Sequence, residues 1–277
     1  MVRSVALLKQ TLLAAAFIGT SLLPLYAVAQ DQETIDYREH VMMTLGEQIA
    51  AIGQMRQGKI APDNFAVHAE ILAVTAATAK SAFTPKVPGG KAKPDVWSNW
   101  PDFSKRLDDL VATTADLAKT AKQGGLAAAA PKLQALPCKG CHDTYREELT
   151  DKPHTDANPV VEYREHIMNT LNEQSGALGQ ILSTVVPGDN TTAHLQTIAL
   201  ASSLALKAFE PKVPGGEAKP EVWSNWPDFS KRMTEFAQKT AAMAQLAHEK
   251  GNDAALANVV DALSCKSCHD TYRAEKK

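Results

Sequence analysis

Across residues 33–57 apolar side chains return every three or four positions, so that Ile35, Met42, Leu45, Ile49 and Ile52 share one stripe with Arg38. That period predicts an amphipathic helix with one buried face. A second helix is expected from about residue 63 to 83, with Asp63 as its cap after Pro62. The 85–94 segment, rich in proline and glycine, reads as a loop. A third helix starts near Asp102 and stops before Gly124-Gly125, a C-terminal cap. The fourth begins near Leu126 or Pro131 and carries Cys138 and Cys141. Four helices with mostly short connections predict an all-α, antiparallel four-helix bundle.

The whole pattern occurs twice. Tyr37-Arg38-Glu39-His40 returns as Tyr163-Arg164-Glu165-His166, and the eleven residues 96–106 return unchanged as 222–232, both at a step of 126. Cys138-Lys139-Gly140-Cys141-His142 returns as Cys265-Lys266-Ser267-Cys268-His269 at a step of 127, so the second copy gained one residue in a late loop. A period this long means duplicated domains, not a solenoid. They occupy 31–149 and 160–277, joined by a short polar linker, 150–159, that holds Pro153 and Pro159. So short a tether should keep the halves close together.

Residues 1–29 read as a signal peptide: Arg3 and Lys9, then an apolar run through Leu12 to Leu23, then Ala27-Val28-Ala29 as a small-x-small cleavage site. The run is interrupted by Thr20, Ser21 and Pro24 and falls short of a bilayer span, and no other long apolar run follows. The mature chain is therefore expected in the periplasm with no membrane span. Aromatic residues make up only 6% of the chain and alanine is plentiful, which favours packed helices over sheets. The formal charge of −2 becomes −4 once Arg3 and Lys9 leave with the leader, and nothing in it suggests a nucleic-acid partner.

The chemistry lies in Cys-x-x-Cys-His, which occurs twice and uses all 4 cysteines. Two thiols three residues apart on a helix lie on one face and can form thioethers to the two vinyl groups of one haem, while the next residue swings an imidazole toward the iron. Cys138, Cys141, Cys265 and Cys268 are thus the covalent anchors of two haem c groups, with His142 and His269 as proximal iron ligands. Local disulfides or a zinc site are the alternatives, but neither requires histidine after the second cysteine both times.

Both motifs lie at the C-terminal end of their copy and run on into Asp-Thr-Tyr-Arg (143–146 and 270–273), and each first helix carries Tyr-Arg-x-x-x-Met. As a set these motifs resemble the class II c-type cytochromes, the cytochrome c' family with its low-spin relatives, here in a tandem dihaem form. The resemblance implies haem held between the first and last helices of each bundle, and a distal residue four positions after an arginine. That residue is Met42 after Arg38, and Met168 after Arg164. The stripe independently turns both inward, where a methionine serves as iron ligand or as packing. Arg38 and Arg164 lie one turn earlier and could meet a haem propionate or reach solvent; Arg146 and Arg273 carry the same ambiguity.

Several other residues compete for roles. His40 and His166 lie about 200° around the helix from the methionines and read as surface histidines. His68 and His194 match each other on the second helix and would support bis-histidine ligation. Met43 becomes Asn169 in the second copy and cannot be a shared ligand, while His154 and His248 read as solvated. Trp97, Trp100, Trp223 and Trp226 are expected to anchor the loop against the bundle.

Methionine ligation would make the iron low-spin, which describes an electron carrier meeting redox partner proteins in small, transient encounters. The rival reading is a five-coordinate cytochrome that binds or scavenges a small gas such as nitric oxide. No acid, base and nucleophile constellation accompanies the haem motifs, so an enzyme is not expected. Homodimerisation stays open, because the covalent pairing of domains could replace it.

Overall fold

The computed structural model describes residues 23–148 and 158–275. Most of the expected leader, and the linker with His154 up to residue 157, lie outside the described residues. The first half consists of α1 (Leu23–Arg56), α2 (Phe65–Phe83), a one-turn α3 (Asp95–Ser98), α4 (Trp100–Leu133) and α5 (Cys138–Tyr145). The second consists of α6 (Pro159–Leu182), α7 (Thr191–Phe209), α8 (Glu221–Ser224), α9 (Trp226–Lys250), the short α10 (Asn252–Leu256) and α11 (Val259–Ala262), and α12 (Cys265–Tyr272). Each half is an antiparallel four-helix bundle. Among the described residues the only β pairing is in isolated bridges such as Ala92 to Arg146.

Three boundaries differ from the pattern's prediction. The backbone of α1 is helical from Leu23, ten residues before the expected start near Glu33, because leucine and alanine there favour helix and Pro24 falls in the first turn, where its missing N–H costs nothing. Asp63 does not cap α2: a 3₁₀ turn, Pro62–Asn64, comes first, and the Asp63 carboxylate lies 3.3 Å from Lys207 of the other half. Finally, α4 continues past Gly124 and Gly125 after a kink, where Gly125 takes φ 62°. The helix carrying the cysteines is a separate piece, because Pro137 disfavours helical backbone at the residue before it. The second half breaks at Gly251, with φ 88°, and covers the same stretch with α10 and α11.

The halves are packed together, α1 on α6 and α2 on α7. Two reciprocal chains of hydrogen bonds run through this interface. Asn64 Nδ2 donates to Tyr163 OH, which lies 2.9 Å from His68 Nε2; His68 Nδ1 lies 2.8 Å from Gln48 Oε1, and Gln48 Nε2 donates to Thr170 Oγ1. The mirror chain runs from Asn190 through Tyr37, His194 and Gln174 to Thr44. A glutamine oxygen can only accept, so each Nδ1 carries the proton and each Nε2 accepts from a tyrosine. Burial drives both imidazoles down to about 3, and His166 (for His68) or His40 (for His194) adds to the shift. Both histidines are therefore neutral.

This packing corrects the reading of His40 and His166 as surface residues. His40 Nδ1 lies 2.6 Å from Glu173 and His166 Nδ1 lies 2.5 Å from Glu47, each across the interface. The polar stripe of α1 is a surface only for an isolated bundle; the second half covers it.

Candidate functional site

The helix bearing each motif is clamped from its C-terminal turn. Tyr145 OH donates to Asp102 Oδ2 at 2.6 Å, and Arg106 donates Nε to the same oxygen and Nη1 to Gly140 O, inside the motif. The hydrogen bond from Tyr145 and then that from Arg106 hold the Asp102 carboxyl below its usual range. Tyr272, Asp228 and Arg232 repeat the arrangement, with Tyr272 OH donating to Asp228 Oδ2 at 2.5 Å and Arg232 Nε at 2.7 Å.

Arg38 secures the other flank. Its guanidinium, buried over the rings of Phe83 and Trp97, donates to Val87 O at 2.6 Å and Gly89 O at 3.2 Å, which fixes the 85–94 loop. Gly89 and Gly90 take φ 127° and 61°, and a Cβ on Gly89 would come within 2.7 Å of Ile35. The far end of the loop holds the motif helix: Lys93 N donates to Tyr145 O, and Glu147 N to Lys91 O. Arg164 holds Val213 O and Gly215 O in the same way. Trp97 and Trp223 donate Nε1 to Phe83 O and Phe209 O, anchoring each loop as expected.

Between these clamps lies a continuous cavity of about 2100 Å³ that serves both halves. Cys138, Cys141 and His142 line it with Met42 and Arg38 in the first half, and Cys265, Cys268 and His269 line it with Met168 and Arg164 in the second. Arg146 and Arg273 also reach its wall. The four cysteines are free thiols, not disulfides, and burial pushes all four up. Among the described residues no group of three or more His, Cys, Asp or Glu gathers that could hold a bare metal ion. Burial, followed by Arg146 or Arg273, lowers the His142 and His269 imidazoles, favouring the neutral form that can donate a lone pair.

This donor set fits a haem: two thiols and an imidazole on one helix, a thioether on another, and a space well beyond an ordinary void in a packed core. His68 and His194 do not fit as ligands. Neither lines the cavity, and both ring nitrogens of each are engaged at the interface. Sequence reasoning missed one cavity residue, Met233, and misplaced another, His166. Met233 is a second thioether in the second half, invisible as a pair because its counterpart is Leu107. His166 also lines the cavity, with Nε2 buried and without a hydrogen bond, a position set only by the packing of α6 on α1.

Comparison with known proteins agrees with this geometry. The family model described as Cytochrome C' matches residues 33–146 and again 159–273. The chain belongs to the cytochrome c' family. It is 33% identical over 124 residues to cytochrome c' of Rubrivivax gelatinosus, covering 42% of this chain and 95% of that protein. It is 32% identical over 123 residues to cytochrome c-556 of Agrobacterium fabrum, covering 42% of this chain and 82% of that one. Among solved structures, cytochrome c prime from Shewanella frigidimarina is 25% identical and covers 44% of this chain and 99% of its own, with a TM-score of 0.38. Another, at 26% identity and the same TM-score, is a nitric oxide complex of a mutant cytochrome c prime from Alcaligenes xylosoxidans, covering 44% of this chain and 100% of its own. Each of these relatives therefore corresponds to a single half. The family binds haem c, and this chain is a class II c-type cytochrome in tandem form.

Proposed function

We propose that this protein is an exported electron carrier of the periplasm with two haem c groups, each held by its Cys-x-x-Cys-His and closed on the distal side by methionine. The carrying observation is that Met42 and His142 line one cavity from different helices, as do Met168 and His269. When bound, the haem supplies reversible one-electron chemistry at iron. Cys138, Cys141, Cys265 and Cys268 tether it, and the Tyr145–Asp102 and Tyr272–Asp228 clamps set the pitch of the ligand helices. Met42 and Met168, which line the cavity, would shield a bound haem from outside ligands and so keep reorganisation small on a change of oxidation state. Arg38 and Arg164, fixed by loop carbonyls, present positive charge to the cavity wall, where an acidic propionate would be welcome.

Export is supported by the Arg3 and Lys9 start and the Ala27-Val28-Ala29 end of the leader, and no described helix is long and apolar enough to cross a membrane. Partners are redox proteins met transiently, and no catalytic residue is assigned. The face that a bundle could offer to a second copy, α1 with α2, is already covered by α6 and α7, which favours one chain acting alone.

Met42→Ala separates this carrier from a five-coordinate, gas-binding cytochrome. It is expected to turn one haem of the two toward high spin, read by electronic and resonance Raman spectra. An unchanged spectrum, or high-spin iron in both oxidation states of the unaltered protein, rejects the carrier reading. Met42 gives the cleaner test, because the second half has Met233 as a spare thioether.

A further inference from the structure

We propose that the two halves hold their haems in unlike surroundings, with the second-half haem the weaker electron acceptor, so that a single electron on the protein rests in the first half. This rests on the two-haem reading above. The distal stripe carries the difference. In α1 the cavity-lining residues one and two turns beyond Met42 are Gly46 and Ile49; beyond Met168 in α6 they are Asn172 and Ser175. Beside the methionine, Met43 gives way to Asn169, whose Nδ2 donates to Glu47 at 3.2 Å. On the proximal side Pro137 becomes Ser264, and Gly140 within the motif becomes Ser267. These exchanges run from apolar or bare backbone to polar, although residues 96–106 were kept unchanged in the second copy; Asn169, Asn172, Ser264 and Ser267 are exposed, so the half-buried Ser175 in place of Ile49 carries most of the difference.

Reduction removes one positive charge from the iron centre. Amide and hydroxyl dipoles, and the water they admit, stabilise the charged oxidised form, whereas an apolar wall does not. The second half is therefore the easier to oxidise. Lysine at 231 and 239 faces the second-half cavity and acts in the opposite sense, but both side chains are exposed, Lys231 lies 3.9 Å from Glu235, and solvent screens such charges. With both haems bound, the step between halves would carry one electron from reduced iron in the second to oxidised iron in the first. No bond is made or broken and no proton is transferred. An external one-electron donor is then best placed at the second half and an acceptor at the first.

Potentiometric titration of the intact holoprotein, followed spectroscopically, is expected to resolve two one-electron steps. Their separation should favour the first half by about tenfold or more, ~59 mV for one electron. Ser175→Ile with Asn172→Gly should raise the lower step and leave the upper one in place, and Ile49→Ser should lower the upper step alone. Superimposed steps in the unaltered protein, or a lower step that answers to Ile49→Ser, would overturn the proposal. If the double variant fails to retain both haems, Ile49→Ser decides by itself. Spin state is recorded on the same samples: high-spin iron with two separated steps would reject methionine ligation and leave this asymmetry standing.

Discussion

Serine at both Cys138 and Cys141 is expected to yield a mature protein heavier than its polypeptide by one haem instead of two, with the first half largely unfolded. The apolar side chains that line its site, among them Leu72, Phe83 and Phe103, would lose the haem as a packing partner. The cavity of about 2100 Å³ runs through both halves and is open to solvent. The walls must therefore collapse or admit water. Intact mass and far-UV circular dichroism check this, and undiminished helicity with one cooperative transition would contradict it. The second half should keep its haem, since its own motif and clamp are untouched.

A second large effect is expected from acid. His68 and His194 sit neutral at about 3, held there chiefly by burial, while an unfolded chain binds their protons near 6.5. Between those values the unfolded state carries more protons than the folded one, so stability falls as the pH falls. The contribution is fully present above about pH 6.5 and is lost progressively toward pH 3, by about 1.4 kcal/mol per pH unit for each histidine at full slope. The pairs of Glu47 with His166 and Glu173 with His40 are present in both proteins compared and are a shared background. Denaturant unfolding at pH 7 and pH 4.5 should therefore show a much smaller loss in a His68→Gln, His194→Gln variant than in the unaltered protein. Equal losses in both would show that the histidines do not set the acid limit.

How much could be read in advance varies with the kind of interaction. The stripe through Ile35, Met42 and Ile49 announced both a helix and its buried face, because periodicity is a local property of the chain. The two Cys-x-x-Cys-His motifs were legible for the same reason, since each lies within about one helical turn. Asp102 was not. Its partner Tyr145 lies 43 positions away, and only folding brings the two within hydrogen-bonding distance. Arg38 was seen as a charge in need of a partner, but the carbonyls of Val87 and Gly89 that hold it are backbone atoms of a loop whose path no spacing discloses.

The sequence by itself determined the duplication, the helical bundle of each copy, the two Cys-x-x-Cys-His motifs and the inward direction of Met42 and Met168, because each is written within a few helical turns. Only the tertiary structure decided what the polar face of α1 is for. His40, Gln48 and His68 resemble ordinary surface and core residues until α6 arrives to complete their hydrogen bonds. Those partners lie more than 90 residues away, and a buried polar group reveals its purpose only when the atom that satisfies it is in place.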